Sequence, residues 1–122
     1  MKLRQVEIII PEYKLSVDIP IVISKHRKIY EFAYILHDHN CACPHYHIYL
    51  KCFPAIESLE IEEWFQVSFS SQCNFVRCND ANMLLYLLQW QGTGSQTYEY
   101  PLENLQTSFN VSSLIKLNRN AK

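Results

Sequence analysis

The sequence HYHIYLKCF, at residues 45–53, alternates between apolar and polar side chains. Successive side chains of a β-strand point to opposite faces, so this alternation predicts a strand with two unlike faces. The more apolar face carries Tyr46, Ile48, Leu50 and Cys52. The other face carries His45, His47, Tyr49 and Lys51. We therefore expect a sheet with one face in the core and the other largely polar and accessible.

The segments around this strand predict further strands. Residues 6–10 are β-branched and end at Pro11, and residues 28–37 (KIYEFAYILH) are rich in aromatic side chains. Residues 19–24 form another short β-branched run, which favours a strand, and residues 73–78 also have the pattern of a strand.

A first helix is predicted after Ser58, which is typical of an N-cap residue. Acidic side chains follow in the first turn, where the helix dipole favours negative charge: Glu60, Glu62 and Glu63. Apolar side chains at helical spacing predict the buried stripe: Ile61, Trp64 and Phe65.

A second helix is predicted over residues 81–90, with Asp80 as its cap and a break at residues 92–95 (GTGS). Strands and helices in this order predict an α+β fold. We expect a central antiparallel sheet of about five strands with the helices packed on its apolar face.

The composition excludes several classes of protein. A length of 122 residues predicts a single domain, 1–122, and a hydrophobic content of 48% is enough for a core. Two glycines exclude a Gly-rich dinucleotide loop, and the sequence contains no GxxxxGKS/T phosphate loop. The apolar run at 83–90 is shorter than the ~20 residues that span a bilayer, and no signal-peptide core is present. We therefore expect no membrane association.

The five cysteines are an odd number. Without a secretion signal, free thiols in a reducing compartment are the expected state, because disulfides form mainly in oxidising ones. This predicts a cytoplasmic location.

The formal net charge of −1 hides an asymmetry along the chain. Residues 1–30 carry six Lys or Arg against three acidic residues, and residues 31–105 carry two against nine. Residues 106–122 carry three Lys or Arg and no acidic residue. Such clusters fit solvated chain ends and a surface for an anionic partner equally well.

Four of the five histidines lie within eleven residues: His37, His39, His45 and His47. His45 and His47 are two apart on the predicted strand, so both imidazoles project from the same face. His37 ends the preceding strand, and a short connection folds that end beside His45 if the two strands pair. Three imidazoles at the mouth of a hairpin favour a metal site over ordinary surface histidines.

Tyr86 lies within the second predicted helix. The expected packed stripe consists of Met83, Leu84, Leu87 and Leu88. Tyr86 falls on a different, more polar face with Asn82 and Gln89. Taken alone, this position suits a structural tyrosine, but a three-ligand metal site nearby makes the phenol a candidate for chemistry.

These motifs together resemble those of the rolling-circle replication initiators of small bacterial plasmids, which are HUH endonucleases. The His37-Asp38-His39-Asn40 segment and the strand from His45 to His47 are similar to the first two motifs of that family. The sequence LYLLQ around Tyr86 is similar to the motif of the catalytic tyrosine, and YEYPLE at 98–103 resembles the Tyr-Pro segment that follows it.

The resemblance implies a metal-dependent nickase with a ferredoxin-like or RRM-like sheet. His37, His45 and His47, with Asn40 or Asp38, would hold one divalent ion, Mn²⁺ or Mg²⁺. Tyr86 would attack the phosphorus and leave a 5′-phosphotyrosyl link and a free 3′-OH. Gln89, one turn later, would orient the phenol.

The implied substrate is single-stranded or hairpin DNA at a replication origin, nicked to initiate rolling-circle replication. Strand binding needs cations for phosphates and aromatic faces for bases. The expected residues are Lys25, Arg27, Lys28, Tyr49 and Lys51. Residues 1–30 match the family poorly. Residues 110–122 form a basic tail that would lead into a further C-terminal region, where the chain would oligomerise, and a helicase is a further expected partner.

Three alternatives stay open. The sequence departs from the family at Asn40, Leu85 and Gln89, which leaves room for an inactive DNA-binding relative. A small zinc-binding interaction protein would use Cys41 and Cys43 together with the two histidines of the strand, and zinc removal would then unfold it. A histidine-triad hydrolase would need a third alternate histidine, but position 49 is tyrosine.

Overall fold

A computed structural model of the chain describes residues 2–39, 42–80, 83–88, 100 and 102–109, with only the backbone at 84 and 85. The strands are β1 (Leu3–Pro11), β2 (Ile29–His37), β3 (His45–Ile56), β4 (Asn74–Arg77) and β5 (Gln106–Thr107). The helices are α1 (Ile19–Lys25), α2 (Ser58–Phe65) and α3 (Met83–Leu87). Single 3₁₀ turns span Glu12–Lys14 and Leu102–Asn104. The predicted α+β class is confirmed.

The five strands form one antiparallel sheet in the order β4-β1-β3-β2-β5. The predicted strand at 45–53 is its centre. Ile48 in β3 lies opposite Ile8 of β1 on one side and opposite Tyr34 of β2 on the other. Because both edges of β3 are paired, its register determines which side chains share a face across the three central strands.

The first face of the sheet forms the main core beneath α1 and α2. Its central contacts come from Ile8, Ile48 and Leu50 in the strands, with Ile61 and Phe65 from α2 packed against them. These side chains alternate along each strand with those of the opposite face, as the sequence pattern predicted. The expectation that helices cover the apolar face is confirmed for α1 and α2.

The strand prediction for residues 19–24 is wrong, because this segment is helix α1. The Asp18 carboxylate caps the helix by accepting a hydrogen bond from the Ile21 amide at 3.2 Å, and Pro20 lies in the first turn, where its missing N–H costs nothing. Burial of Ile19 and Val22 on the sheet then overrides the strand preference of β-branched residues.

Helix α2 begins one residue earlier than predicted, since Glu57 rather than Ser58 is the N-cap residue. The Glu60 side chain accepts a hydrogen bond from the Glu57 amide at 2.9 Å and satisfies a donor at this end of the helix. Trp64 is half-buried rather than buried, and it stacks on His26 with 4.5 Å between ring centroids.

The described part of α3, Met83–Leu87, is shorter than the helix predicted over residues 81–90. Residues 81, 82, 89 and 90 lie outside the described part of the chain. The Asp80 side chain accepts a hydrogen bond from Gln5 Nε2 at 2.7 Å.

Among the residues that the structure describes, no helix is long and apolar enough to cross a membrane.

The prediction that the second face is accessible is wrong for most of its length. Helix α3 lies on it and buries Met83 and Leu87 against Ala33, Ile35 and Tyr49. Tyr100, Leu88 and Leu105 extend this second cluster. The sheet therefore has a helix layer on one face and, on the other, a smaller apolar cluster that ends at the histidines.

The core beneath α2 gives a direct test of the packing. Ile61→Ala should lower the free energy of unfolding by about 2–5 kcal/mol, because Ile61 is fully buried and its truncation leaves a cavity. Leu59→Ala on the same helix should change it by less than about 0.5 kcal/mol, because Leu59 is 62% exposed. Urea unfolding followed by circular dichroism measures both. Equal effects of the two substitutions would contradict the orientation of α2.

Candidate metal centre

The pairing of β2 with β3 brings three histidines together on the second face. His37 lies opposite His45 in the register, and His47 follows on the same face of β3. Ring centroids are 5.3 Å apart for His37 and His45, 3.9 Å for His37 and His47, and 5.0 Å for His45 and His47. One nitrogen of each ring lies within 4.8 Å of the others, so this cluster can hold a metal ion.

Each histidine also contacts an oxygen through one ring nitrogen. His37 Nε2 lies 2.6 Å from the Leu87 carbonyl oxygen, and His45 Nδ1 lies 3.0 Å from the Cys43 carbonyl oxygen. His47 Nδ1 lies 2.5 Å from Oε1 of Glu7. Carbonyl oxygens only accept hydrogen bonds, so in His37 and His45 the named nitrogen carries the proton.

These hydrogen bonds determine which nitrogen of each ring has a lone pair. The lone pair lies on Nδ1 of His37 and on Nε2 of His45. It lies on Nε2 of His47 when Glu7 is ionised and its carboxylate accepts a hydrogen bond from the Nδ1–H group. Metal-binding histidines commonly donate their second N–H to a carbonyl or carboxylate, which orients the ring. The donor set is therefore three oriented imidazoles, which fits a divalent transition-metal ion.

Glu7 is a residue of the site that the sequence reasoning missed. It lies on β1, is 1% exposed, and belongs to the face that carries the histidines, opposite Tyr49 in the register. Its Oε2 atom is buried without a hydrogen-bond partner among the described residues. In the sequence Glu7 was simply one polar residue in a β-branched strand, and only the pairing of β1 with β3 places it beside His47.

Burial shifts the protonation of this pair. Loss of hydration raises the pKa of Glu7 from 4.5 to about 8. Burial also lowers the pKa of His47 to about 2, and the neighbouring His37 and His45 contribute to this decrease. Both pKa shifts favour the uncharged form of the side chain, the protonated carboxyl of Glu7 and the neutral imidazole of His47. A cation bound by the imidazoles would have the opposite effect on Glu7, because a nearby positive charge stabilises a carboxylate.

Tyr100 packs against the histidine cluster, and the sequence analysis did not single it out as a site residue. Its ring is 3% exposed and stacks on His37, with 4.3 Å between centroids and an interplanar angle of 4°. Its hydroxyl accepts a hydrogen bond from the His39 amide at 2.9 Å and lies 3.3 Å from the His39 carbonyl oxygen, to which it can donate. Tyr100 therefore restrains both the His37 ring and the chain that leaves β2.

Among the three histidines, His45 is the most accessible. His37 and His47 are buried, whereas His45 is half-buried and lines a hollow of about 230 Å³. The other lining residues are Ile9, Pro11, Cys43 and Gln72. The hollow therefore borders the cluster at His45, on the side of the β3 N-terminus.

The remaining predicted metal ligands are not part of the cluster. Asp38 is described, but its side chain is exposed and lies outside the group of mutually close ligand atoms. Asn40 lies outside the described residues, as does Gln89, the predicted partner of the phenol.

Tyr86 is 42% exposed and directly precedes Leu87, the residue whose carbonyl oxygen contacts His37. The last carbonyl groups of a helix have no hydrogen-bond partner within the helix. In α3, His37 donates a hydrogen bond to one of them, the Leu87 carbonyl. This contact holds the helix that carries Tyr86 against the histidine cluster. The predicted orientation, with Met83, Leu87 and Leu88 packed inwards, is confirmed for these three side chains.

The predicted DNA-binding residues separate into two groups. The first group lies at the end of the sheet opposite the histidine cluster and consists of Lys25, Arg27 and Lys28. There the Lys28 carbonyl oxygen accepts a hydrogen bond from the Phe53 amide. Phe53 is six residues along β3 from His47, a distance of roughly 20 Å. The Lys28 ammonium also contacts Glu60 at 2.6 Å.

The second group, Tyr49 and Lys51 on β3, is less accessible to DNA than expected. Tyr49 is fully buried beneath α3, so the expectation that its ring faces a base is wrong for this structure. Lys51 is 24% exposed and lies 3.7 Å from Asp80 and 3.9 Å from Glu31. Nearby carboxylates therefore offset its charge.

The thiol ligands of the zinc alternative are not brought to the histidines. Cys43 is exposed, and its sulfur is not among the grouped ligand atoms of the described residues. Instead, the Cys43 backbone carbonyl orients His45. Cys41 lies outside the described residues.

The sequence matches no protein-family model. A search of curated proteins likewise gives no match.

The cluster predicts metal binding that depends on His47 and leaves the fold intact. Wild-type protein should bind Mn²⁺, Co²⁺ and Ni²⁺ with affinity rising in that order, and His47→Ala should abolish this binding. Titration calorimetry and the visible spectrum of bound Co²⁺ measure the effect, with circular dichroism as the check on folding. His26→Gln is the matched control, because His26 stacks on Trp64 outside the cluster. Unaltered binding in His47→Ala would contradict the assignment.

Glu7 should set the affinity of the centre without contacting the ion. Glu7→Gln keeps a hydrogen-bond acceptor for His47 but removes the negative charge, so metal affinity should fall by about 10–100-fold. Glu12→Gln, an exposed carboxylate in the turn after β1, is the control. Equal affinity in Glu7→Gln and wild type would show that Glu7 serves packing alone.

Proposed function

We propose that this chain is a metal-dependent endonuclease that nicks single-stranded or hairpin DNA through a phosphotyrosyl intermediate at a replication origin. The proposal rests on one observation above all: the three-histidine cluster is joined to the C-terminal end of α3, next to Tyr86, by the contact between His37 and the Leu87 carbonyl. The resemblance of the histidine and tyrosine motifs to rolling-circle initiators supports the same chemistry.

The exposed phenol of Tyr86 is the nucleophile in this proposal. Its oxygen attacks the phosphorus of the scissile phosphodiester and forms a new O–P bond, while the bond from phosphorus to the 3′ oxygen breaks. The phenol gives up its proton and the leaving 3′ oxygen gains one, so the products are a 5′-phosphotyrosyl link and a free 3′-OH. The reverse reaction rejoins the strand.

The chain's own residues position this reaction. The Leu87 carbonyl, the Cys43 carbonyl and Glu7 orient the three rings, and Tyr100 packs on His37. A bound divalent ion would stabilise the charge that develops on the phosphate oxygens. Imidazole nitrogens bind Mg²⁺ poorly, so Mn²⁺ is the better fit of the two ions expected from the resemblance.

Substitution of the nucleophile tests this function. Wild-type protein, Mn²⁺ and a labelled single strand that contains a hairpin should give a covalent protein–DNA adduct that survives denaturing electrophoresis. Tyr86→Phe should give none, because it lacks the attacking oxygen. Tyr30→Phe is the matched control, since Tyr30 has a similar exposure of 47% and lies at the opposite end of the sheet.

Two outcomes would contradict the proposal. An adduct that persists in Tyr86→Phe would move the nucleophile to another tyrosine, and Tyr98 would be the next to test because the Tyr100 hydroxyl is engaged with His39. No cleavage of any hairpin or origin strand, with metal bound and the fold intact, would favour an inactive DNA-binding relative.

A further inference from the structure

A basic hollow lies at the end of the sheet opposite the histidine cluster. It encloses about 230 Å³ and is lined by Lys2, Arg4, Gln5, Arg77 and Cys78. The three cationic side chains are exposed, whereas Gln5 and Cys78 are half-buried. Positive groups around a concave, mostly polar surface form a site for an anion.

Two of the cations are held by the surrounding fold. Arg77 donates a hydrogen bond from its guanidinium to the Lys2 carbonyl oxygen at 3.0 Å, which joins the end of β4 to the start of β1. The Arg4 guanidinium carbon lies 5.7 Å from the centre of the Phe53 ring. An arginine placed in this way keeps further N–H groups for a planar or tetrahedral oxyanion such as a phosphate.

Phe53 adds an aromatic surface next to the hollow. It is 67% exposed, and it lies in a segment of β3 where the pairing with β1 shifts register opposite Arg4. An exposed aromatic ring beside cationic groups is the combination that proteins use to bind single-stranded nucleic acids, because bases stack on the ring and phosphates bind the cations.

The carboxylates near the hollow leave its charge positive. Glu57 lies 3.4 Å from the Lys2 ammonium and offsets one charge. Asp80 accepts a hydrogen bond from Gln5, and Lys51, which lies 3.7 Å from Asp80 and 3.9 Å from Glu31, offsets one of these two negative charges. The two charges of Arg4 and Arg77 therefore exceed the one carboxylate charge that is left.

We propose that the hollow between Lys2, Arg4 and Arg77 binds a backbone phosphate of single-stranded DNA, with Phe53 as the adjacent base-stacking surface. This inference rests on the proposed function, since it makes the hollow a second contact for the strand that reaches the metal centre. Phe53 and His47 are roughly 20 Å apart along β3, so a strand of several nucleotides connects the two sites. The hollow therefore anchors the strand away from the reacting phosphate.

Binding in the absence of metal tests the hollow separately from nicking. The probe is a fluorescent single-stranded oligonucleotide without an origin sequence, measured by anisotropy in chelator at several salt concentrations. The double variant Arg4→Gln/Arg77→Gln should bind roughly tenfold more weakly. The slope of log affinity against log salt should fall by about 0.7 for each phosphate that the variant no longer neutralises. Arg4→Lys/Arg77→Lys should largely restore the slope, because it keeps the charge.

Two comparisons exclude a general charge effect and a different source of phosphate. Lys14→Gln removes one cation in the turn after β1, at the other end of the sheet, and an effect as large as that of Arg77→Gln would overturn the site in favour of overall charge. Inorganic phosphate should compete with the strand in wild type. Phosphate that shifts the arginine NMR signals without displacing the strand would show a free-phosphate site and overturn the assignment to DNA.

The result separates this inference from the proposed function. Strand binding that depends on Arg4 and Arg77, without adduct formation at Tyr86, would keep the phosphate site and reject the nickase. An active nickase whose strand affinity and salt slope do not change in Arg4→Gln/Arg77→Gln would reject the phosphate site alone.

Discussion

The antiparallel pairing of β2 with β3 is the constraint on which the rest of the structure depends. Its register places His37 opposite His45, and the two-residue period of a strand places His47 on the same face. A slip of one residue would move every side chain of β3 to the other face and separate the cluster. Pairing with β1 fixes the same register from the other side and brings Glu7 to His47. The hydrogen bonds that hold the sheet therefore also hold the site.

The second face of the sheet contains polar groups that stability alone would not favour there. Glu7 and His47 are both buried, and loss of water disfavours charge on each of them. Apolar residues in their place would pack without this cost. Oriented imidazoles next to a buried carboxylate are instead typical of a site that is organised before its ligand arrives. Tyr100 and the end of α3 complete this organisation by fixing His37.

Sequence reasoning succeeded where the signal is local and failed where distant segments meet. The alternation in β3 correctly predicted which side chains share a face, but it did not reveal that α3 covers Tyr49. Residues 19–24 were predicted as a strand from their β-branched composition, yet the Asp18 cap and the burial of Ile19 and Val22 make them a helix. Tertiary packing decided both cases, because propensity differences are small compared with the burial of an apolar face.

The sequence by itself determined that His45 and His47 share a face and that Met83, Leu87 and Leu88 point inwards, because strand and helix periods are properties of the local chain. The pairing of β2 with β3 then placed His37 on the same face as the other two histidines. Only the tertiary structure decided which oxygens orient those histidines. Glu7 is 40 residues from His47 in the chain, and Leu87 is 50 residues from His37. Many carboxylates and carbonyl groups are available at such separations, and spacing cannot select among them. Strand order and register, which depend on how the whole chain buries its apolar surface, make that selection.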